Sequence, residues 1–277
     1  MGLCAEFALA NDRVVLFRMA DLHDKIVLVT GGSGGLGQAL AEAFAMTQNR
    51  VVLTARNTAK LEAAAEKIAR KGAQVLALPA DISRRDQVKS LGEKISAHWG
   101  DVQILINNAG VARAISFADM PDALWDQTLE TNLTGVYNCC KVFLPAMIRA
   151  KWGRIINIAS ITAKVGFSHA TAYTASKHGL LGLTRSLALE TARAGVTVNA
   201  ICPGYIDDDR THENAKIMAE KTGKRVEDIL KLFAQSAPQN RLIAPDEVAS
   251  LALVIASEKL RAMTGQAINV DGGAVMA

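Results

Sequence analysis

Ile26-Val27-Leu28-Val29-Thr30 runs straight into Gly31-Gly32-Ser33-Gly34-Gly35-Leu36-Gly37. The first five residues are a short apolar, β-branched run without alternation, the pattern of a strand buried on both faces. The glycines let the backbone turn tightly and approach a ligand closely. Leu40, Ala43, Phe44 and Met46 then recur at helical spacing. Strand, glycine turn and helix in this order are the context that a dinucleotide-binding fingerprint requires. The helix N-terminus would present unpaired N–H groups and a partial positive charge to a pyrophosphate. Glycine-rich turns also occur without ligands, so the surrounding chain has to discriminate.

Outward from this junction the chain alternates. A second strand, Arg50 to Ala55, ends about 20 residues beyond the glycines, where an NAD site places an acid for the ribose hydroxyls. The sequence has Ala55, Arg56 and Asn57 there, with no carboxylate between Glu42 and Glu62. An arginine pairs with a 2′-phosphate in bidentate fashion. Arg56 therefore points to NADP(H) over NAD(H); the alternative is an exposed loop charge. A helix over 58–71, a strand over 74–79 leading to Ala80-Asp81-Ile82, a helix over 84–98 and a strand over 102–106 follow. The last runs into Asn107-Asn108-Ala109-Gly110. Such alternation predicts a parallel sheet with helices on both faces, and ligands beyond the carboxyl ends of its strands. Asp81 would accept from an adenine amino group or cap the helix after it. Asn107 and Asn108 would meet a ligand or brace the turn.

The second half carries the chemistry. A helix from about 121 to 150 contains Asn132 and, three residues on, Gly135, poor choices for a helix interior. They predict a backbone distortion or a function. A strand over 154–159 delivers Ser160 at its carboxyl end. Tyr173 and Lys177 then lie four apart on a helix, on one face, with Cβ atoms roughly 5–6 Å apart. A free tyrosine has a pKa of about 10, and a neighbouring cation favours its anion. A three-unit drop needs roughly 4 kcal/mol. An exposed lysine alone would not supply that; a lysine and a bound cationic nicotinamide in a closed site would. A strand over 196–201 ends at Cys202-Pro203-Gly204, and a last strand near 267–270 is closed by Asp271-Gly272-Gly273. Read as plain structure, Ser160 is a strand-end cap and Asn132 a helix defect.

Thr30-Gly31-x-x-x-Gly35-x-Gly37, Asn107-Asn108-Ala109-Gly110, Asn132, Ser160, Tyr173-x-x-x-Lys177 and Pro203-Gly204 together resemble the short-chain dehydrogenase/reductase family, in order and spacing, from residue 22 to 273. The resemblance implies a single Rossmann-like domain with a seven-stranded parallel sheet, a nicotinamide cofactor and a tetramer or dimer. It implies that Tyr173 is the general acid of reduction and that Ser160 holds the substrate carbonyl. Lys177 would bind the nicotinamide ribose and lower the Tyr173 pKa, and Asn132 would hold a water that returns protons. It places cofactor contacts at Gly31, Ser33, Gly34, Gly35, Leu36, Gly37, Arg56, Asp81, Ile82, Asn108, Ala109, Gly110, Tyr173, Lys177, Pro203, Gly204 and Ile206. Within the family the chain is similar to 3-oxoacyl thioester reductases and polyketide ketoreductases, through Thr54-Ala55-Arg56, the run from Glu130 to Val136, the run from Ile155 to Ser160 and the run from Tyr173 to Gly179. This implies reduction of a 3-oxoacyl group on coenzyme A or an acyl carrier protein. The same motifs would serve a dehydrogenase of a small secondary alcohol, hydroxy acid or sugar derivative, with a pocket around Ala112, Arg113, Thr162, Val165, Phe167 and Tyr205. An inactive NADP-binding regulator would be expected to lack Ser160, Tyr173 or Lys177. One departure stands out: Asp208 occupies the position where the family usually has a threonine against the nicotinamide carboxamide.

Composition agrees with an α/β enzyme. Half of the 277 residues are hydrophobic, and the net charge is +4 with dispersed basic residues, which argues against nucleic acid as a partner. No apolar run approaches a membrane span. Cys4, Cys139, Cys140 and Cys202 lack metal-ligand spacing, and the five histidines are scattered. The expectation is no metal, small core cysteines and a reducing, cytoplasmic setting. Residues 1–20 read as an N-terminal extension outside the core, and 21–277 as one oxidoreductase domain in which 205–240 is a helical lid over the substrate. Lys221, Lys224 and Arg225 on that lid are either phosphate contacts or a solvated face.

Overall fold

The computed structural model describes residues 22–277; the expected extension over 1–20 lies outside the described residues. Seven strands form one parallel sheet in the order β3-β2-β1-β4-β5-β6-β7. They are β1 (Ile26–Thr30), β2 (Arg50–Thr54), β3 (Val75–Ala77), β4 (Ile104–Asn107), β5 (Gly153–Ile158), β6 (Val196–Pro203) and β7 (Ala267–Val270). The expected seven-stranded Rossmann-like architecture is the one observed.

Both sheet faces are apolar, which is why the strands show no polar alternation. Val27 and Val29 face one core with Leu40 and Phe44 of α1 (Gly35–Met46), Leu61 of α2 (Thr58–Ala69) and Val248 of α9 (Pro245–Ala256). Ile26 and Leu28 face the other. They meet Leu91 of α3 (Arg85–His98), Phe143 of α5 (Gly135–Ala150) and Leu180 of α6 (Thr171–Thr191). Each fully buried side chain of this size contributes about 1.5–3 kcal/mol. Cys139 and Cys140 are core residues, as expected, Cys202 is buried as well, and burial pushes the Cys140 thiol up to about 12. Among the described residues no helix is long and apolar enough to cross a membrane.

From β1 the chain builds outward to β3, returns to lay β4 on the other side of β1, and then proceeds to β7. The carboxyl ends of β1 and β4 thus flank the crevice at which such sheets bind ligands. The expected long helix is α4 (Asp122–Leu129) and α5 joined by a π-turn over Glu130–Thr134, the distortion predicted at Asn132. The segment expected to form a lid folds as α7 (Asp209–Thr222) and α8 (Val226–Gln235), divided at Gly223, whose φ of 68° ends α7. Helix α9 is absent from the sequence reading, although Pro245, Asp246 and Glu247 are helix-start residues. The Glu247 carboxylate accepts from Ala244 N at 2.8 Å.

Buried polar side chains tie the layers. The Arg154 guanidinium donates to Ala256 O at 3.0 Å, Gly153 O at 2.8 Å and Glu258 at 2.6 Å, and lies 4.5 Å from the Trp152 ring centre. Asn107 Nδ2 donates to Asn157 Oδ1 at 2.8 Å, and Asn157 Nδ2 to Thr184 Oγ1 at 2.9 Å. The Thr184 hydroxyl donates onward to Leu180 O at 2.7 Å. This relay joins β4, β5 and α6. Removing its centre leaves dehydrated groups unpaired, at about 1–3 kcal/mol each. Asn157→Ala is therefore expected to lower the unfolding free energy by about 2–4 kcal/mol. Denaturant melts would check this, and a loss below about 0.5 kcal/mol would refute the relay.

Candidate active site

The glycine turn is held from both flanks. Gly31 N and Gly32 N donate to Thr54 O at 2.8 and 3.2 Å. The Thr30 hydroxyl accepts from Asn108 N and Ala109 N, each at 3.0 Å. Asn108 Nδ2 donates to Thr30 O at 3.0 Å and Gly31 O at 3.2 Å. Asn108, expected to contact a cofactor, thus has its amide hydrogens taken up in bracing the turn. A Cβ on Gly37 would lie 2.1 Å from Gly31 O, so only glycine lets α1 begin against the turn. Gly31, at φ 67°, also leaves no room for a side chain, with 2.8 Å from a notional Cβ to Ala109 Cα. Ser33 and Gly34 lie partly open at the lip, whereas Leu36 is in the core. Helix α1 carries neither a capping side chain nor an acid in its first turn. Its N-terminal groups face the crevice, as an anion seat requires.

Arg56 is exposed just beyond β2. Asn57 beside it caps α2 by accepting from Lys60 N at 3.0 Å. Asp81 lies beyond β3, and its carboxylate accepts from Ser83 N at 3.0 Å and Ser83 Oγ at 2.8 Å. It shapes the loop without capping α3, whose N-cap is Arg84. The Ile82 side chain belongs to the core, 2.7 Å from where a Gly135 Cβ would be, and Ile82 O accepts from Asn138 at 2.9 Å. Gly204 N donates to Val270 O at 3.0 Å, and Ile206 bridges to Ile243, anchoring the chain just before α7.

Four side chains converge at the carboxyl ends of β4 and β5. Ser160 follows β5, 8% exposed, with Oγ accepting from Thr162 N at 3.2 Å. Tyr173 and Lys177 lie one turn apart on α6, with Lys177 Nζ 5.6 Å from the Tyr173 ring centre. Lys177 is 4% exposed, and Nζ donates to Ile158 O at 2.7 Å. Asn132, fully buried, clamps the loop after β4: Oδ1 accepts from Val111 N at 2.8 Å and Nδ2 donates to Val111 O at 2.9 Å. Nδ2 also donates to Ser176 Oγ at 3.1 Å, and Ser176 Oγ donates to Tyr173 O at 2.7 Å. The π-turn is what directs Asn132 at these partners. Across the opening, Ile115 N donates to His169 O at 2.8 Å, and Tyr205 stacks on Phe233 of α8, ring centres 4.4 Å apart.

The expected lowering of the Tyr173 pKa joins Lys177 to a bound cationic nicotinamide; among the protein's own groups, burial dominates. Tyr173 keeps some accessible surface, but protein crowds its hydroxyl, and burial pushes the phenol up. The Arg210 charge and the Ser160 hydroxyl pull it back only in part. Burial, seconded by Arg210, lowers Lys177 to about 7. The protein alone thus holds a neutral phenol, ready to donate, beside an amine that titrates at neutrality. Arg210, in the first turn of α7, escaped the sequence reading. It follows Asp207-Asp208-Asp209 in a charge-mixed segment, and no local pattern says that it faces Tyr173.

The lysine pKa has a sign that can be checked. Between about 7 and its ordinary 10.5 the unfolded chain binds the Lys177 proton and the folded chain does not. Stability from this group therefore rises with pH across that window. The melting temperature of Lys177→Met minus that of the parent is expected to be largest near pH 7 and to shrink toward pH 10. Thermal melts across this range that show a flat or growing difference would overturn the assignment.

Comparison with known proteins accords with this geometry. The family model for short chain dehydrogenase matches residues 25–219. The D-beta-hydroxybutyrate dehydrogenase of Cupriavidus necator is 34% identical, over 91% of this chain and 98% of its own length. The 3-oxoacyl-acyl-carrier-protein reductase FabG of Staphylococcus epidermidis is also 34% identical, over 91% of this chain and all of its own. An actinorhodin polyketide ketoreductase, solved with NADPH, superposes with a TM-score of 0.88 at 33% identity, covering 91% of this chain and 97% of that one. With its parallel sheet, bare glycine turn and Ser160, Tyr173 and Lys177 at one strand end, the chain belongs to the short-chain dehydrogenase/reductase family and is a nicotinamide-dependent oxidoreductase acting between CH–OH and C=O groups.

Proposed function

We propose that the protein reduces a 3-oxoacyl thioester to the 3-hydroxyacyl thioester with NADPH, in the cytoplasm. The observation that carries this reading is the convergence of Ser160, Tyr173 and Lys177 beside the uncapped start of α1. The turn fits a dinucleotide, because Gly37 lets α1 start hard against it and no side chain caps the first N–H groups of that helix. Gly31 to Gly37 would hold the pyrophosphate, with Ala109, Gly110, Pro203, Gly204 and Ile206 along the nicotinamide half. Arg56, which has no carboxylate partner among the described residues, suits a 2′-phosphate. The oxygen of Asp81 not turned to Ser83 would accept from the adenine.

When bound, the reduced cofactor supplies the hydride to the carbonyl carbon. Ser160 Oγ–H donates to the carbonyl oxygen and stabilises its developing charge. Tyr173 gives its phenolic proton to that oxygen, and the neutral resting phenol is the form this requires. Lys177, its pKa lowered by burial to about 7, stabilises the phenolate and returns the proton. Both amide hydrogens of Asn132 are engaged, so a water joining Lys177 to solvent would donate to Asn132 oxygens. The similarity to FabG and the ketoreductase supports the thioester. Exposed Lys221 and Lys224 offer charge for a carrier, whereas Arg225 is paired with Asp228 at 3.1 Å. Exposed Tyr137 and Ile148 on α5 and Leu189 on α6 support association into dimers or tetramers.

A second reading, oxidation of a small 3-hydroxy acid, is favoured by Arg210, whose charge near Tyr173 would attract a substrate carboxylate, and by the hydroxybutyrate dehydrogenase relative. Cofactor absorbance separates the two. Acetoacetyl coenzyme A should oxidise NADPH well ahead of NADH, and Arg56→Ala should narrow that preference. Turnover confined to free 3-hydroxybutyrate and lost in Arg210→Ala would favour the second reading. In either case Tyr173→Phe should reduce turnover by at least about 10²-fold with NADPH affinity nearly unchanged. Turnover within a few-fold of the parent would remove Tyr173 from the mechanism.

A further inference from the structure

The first turn of the lid reaches back onto the glycine turn. Asp208 is the N-cap of α7, with Oδ1 accepting from Thr211 N at 3.0 Å. Its other oxygen lies against the start of α1. A Cβ on Gly35 would sit 2.8 Å from Asp208 Oδ2 and 3.3 Å from its Cγ. Asp209 follows the same course, 3.9 Å from the equivalent position on Gly34. The α1 N-terminus has no acid or cap of its own, and its partial positive charge attracts an anion. The chain just before α7 is held, with Asp207 N donating to Ile243 O at 2.8 Å. The carboxylate therefore stands where the turn would receive a pyrophosphate.

We propose that Asp208 is an internal anion that closes the lid onto the glycine turn and competes with the dinucleotide pyrophosphate for the α1 N-terminus. Cofactor entry then requires the first turn of α7 to lift. Two anions at one helix end repel as well as share it. Arg210 rides on that turn, so the movement also withdraws its charge from Tyr173 and Lys177. The proposal rests on the reading of Gly31 to Gly37 as the pyrophosphate seat and not on the identity of the substrate.

Asp208→Asn keeps a capping oxygen for Thr211 and removes the charge. Titration calorimetry with NADP+ and NADPH, without substrate, should show affinity about two- to tenfold tighter than the parent. Without dinucleotide, hydrogen exchange over residues 209–222 should be faster than in the parent. Affinity unchanged or weakened, or a parent lid exchanging as fast as the variant's, overturns the proposal. If Asp208→Asn does not fold, Asp208→Thr, which also caps, carries both readouts. No carbonyl compound enters the experiment, so failure of thioester reduction leaves its outcome unaffected.

Discussion

The Thr30 hydroxyl, accepting two backbone N–H groups from the loop after β4, is the clasp on which the site depends. It sits where the strand order reverses, so β1 and β4 are neighbours in space but 74 positions apart between Thr30 and Ile104. Asn108 completes the clasp by donating to Thr30 O and Gly31 O. With both strand ends pinned, the turn has one shape, and α1 starts so close against it that a Cβ at Gly37 would lie 2.1 Å from Gly31 O. The crevice follows from that constraint.

The catalytic half is organised by burial as much as by charge. Lys177 is enclosed, and its link to Ile158 O places the amine at the end of β5, next to Ser160. Dehydration moves lysine and tyrosine in opposite directions, because each neutral form tolerates the interior better. Burial thus favours the neutral form of both groups, and any phenolate must be stabilised at the moment of transfer. Asn132 shows the same economy of backbone: a π-turn disfavoured by local propensity puts an amide where it holds Val111 and, through Ser176, the carbonyl of Tyr173.

The segment over 205–240 adds what neither half contains. Tyr205 stacks on Phe233 of α8, while Asp208 lies against the start of α1 and the Arg210 charge acts on Tyr173. A threonine in place of Asp208 would also cap α7. The acid changes what the cap presents to the glycine turn.

Local order was legible from residue patterns alone. Apolar runs ending in Gly31 to Gly37, Asn107 to Gly110 and Ser160 specify buried strands with ligand-facing ends, because strand burial and turn geometry are short-range properties. Tyr173 and Lys177 were placed together by helical spacing, and the defect at Asn132 by its poor propensity. Tertiary structure decided the rest: that Asn108 and Ile82 brace and pack, that Asp81 turns to Ser83, that Tyr173 is pushed up, and that Asp208 and Arg210 reach the site. Dehydration and through-space charge depend on atoms from distant segments, and no window of sequence contains both partners.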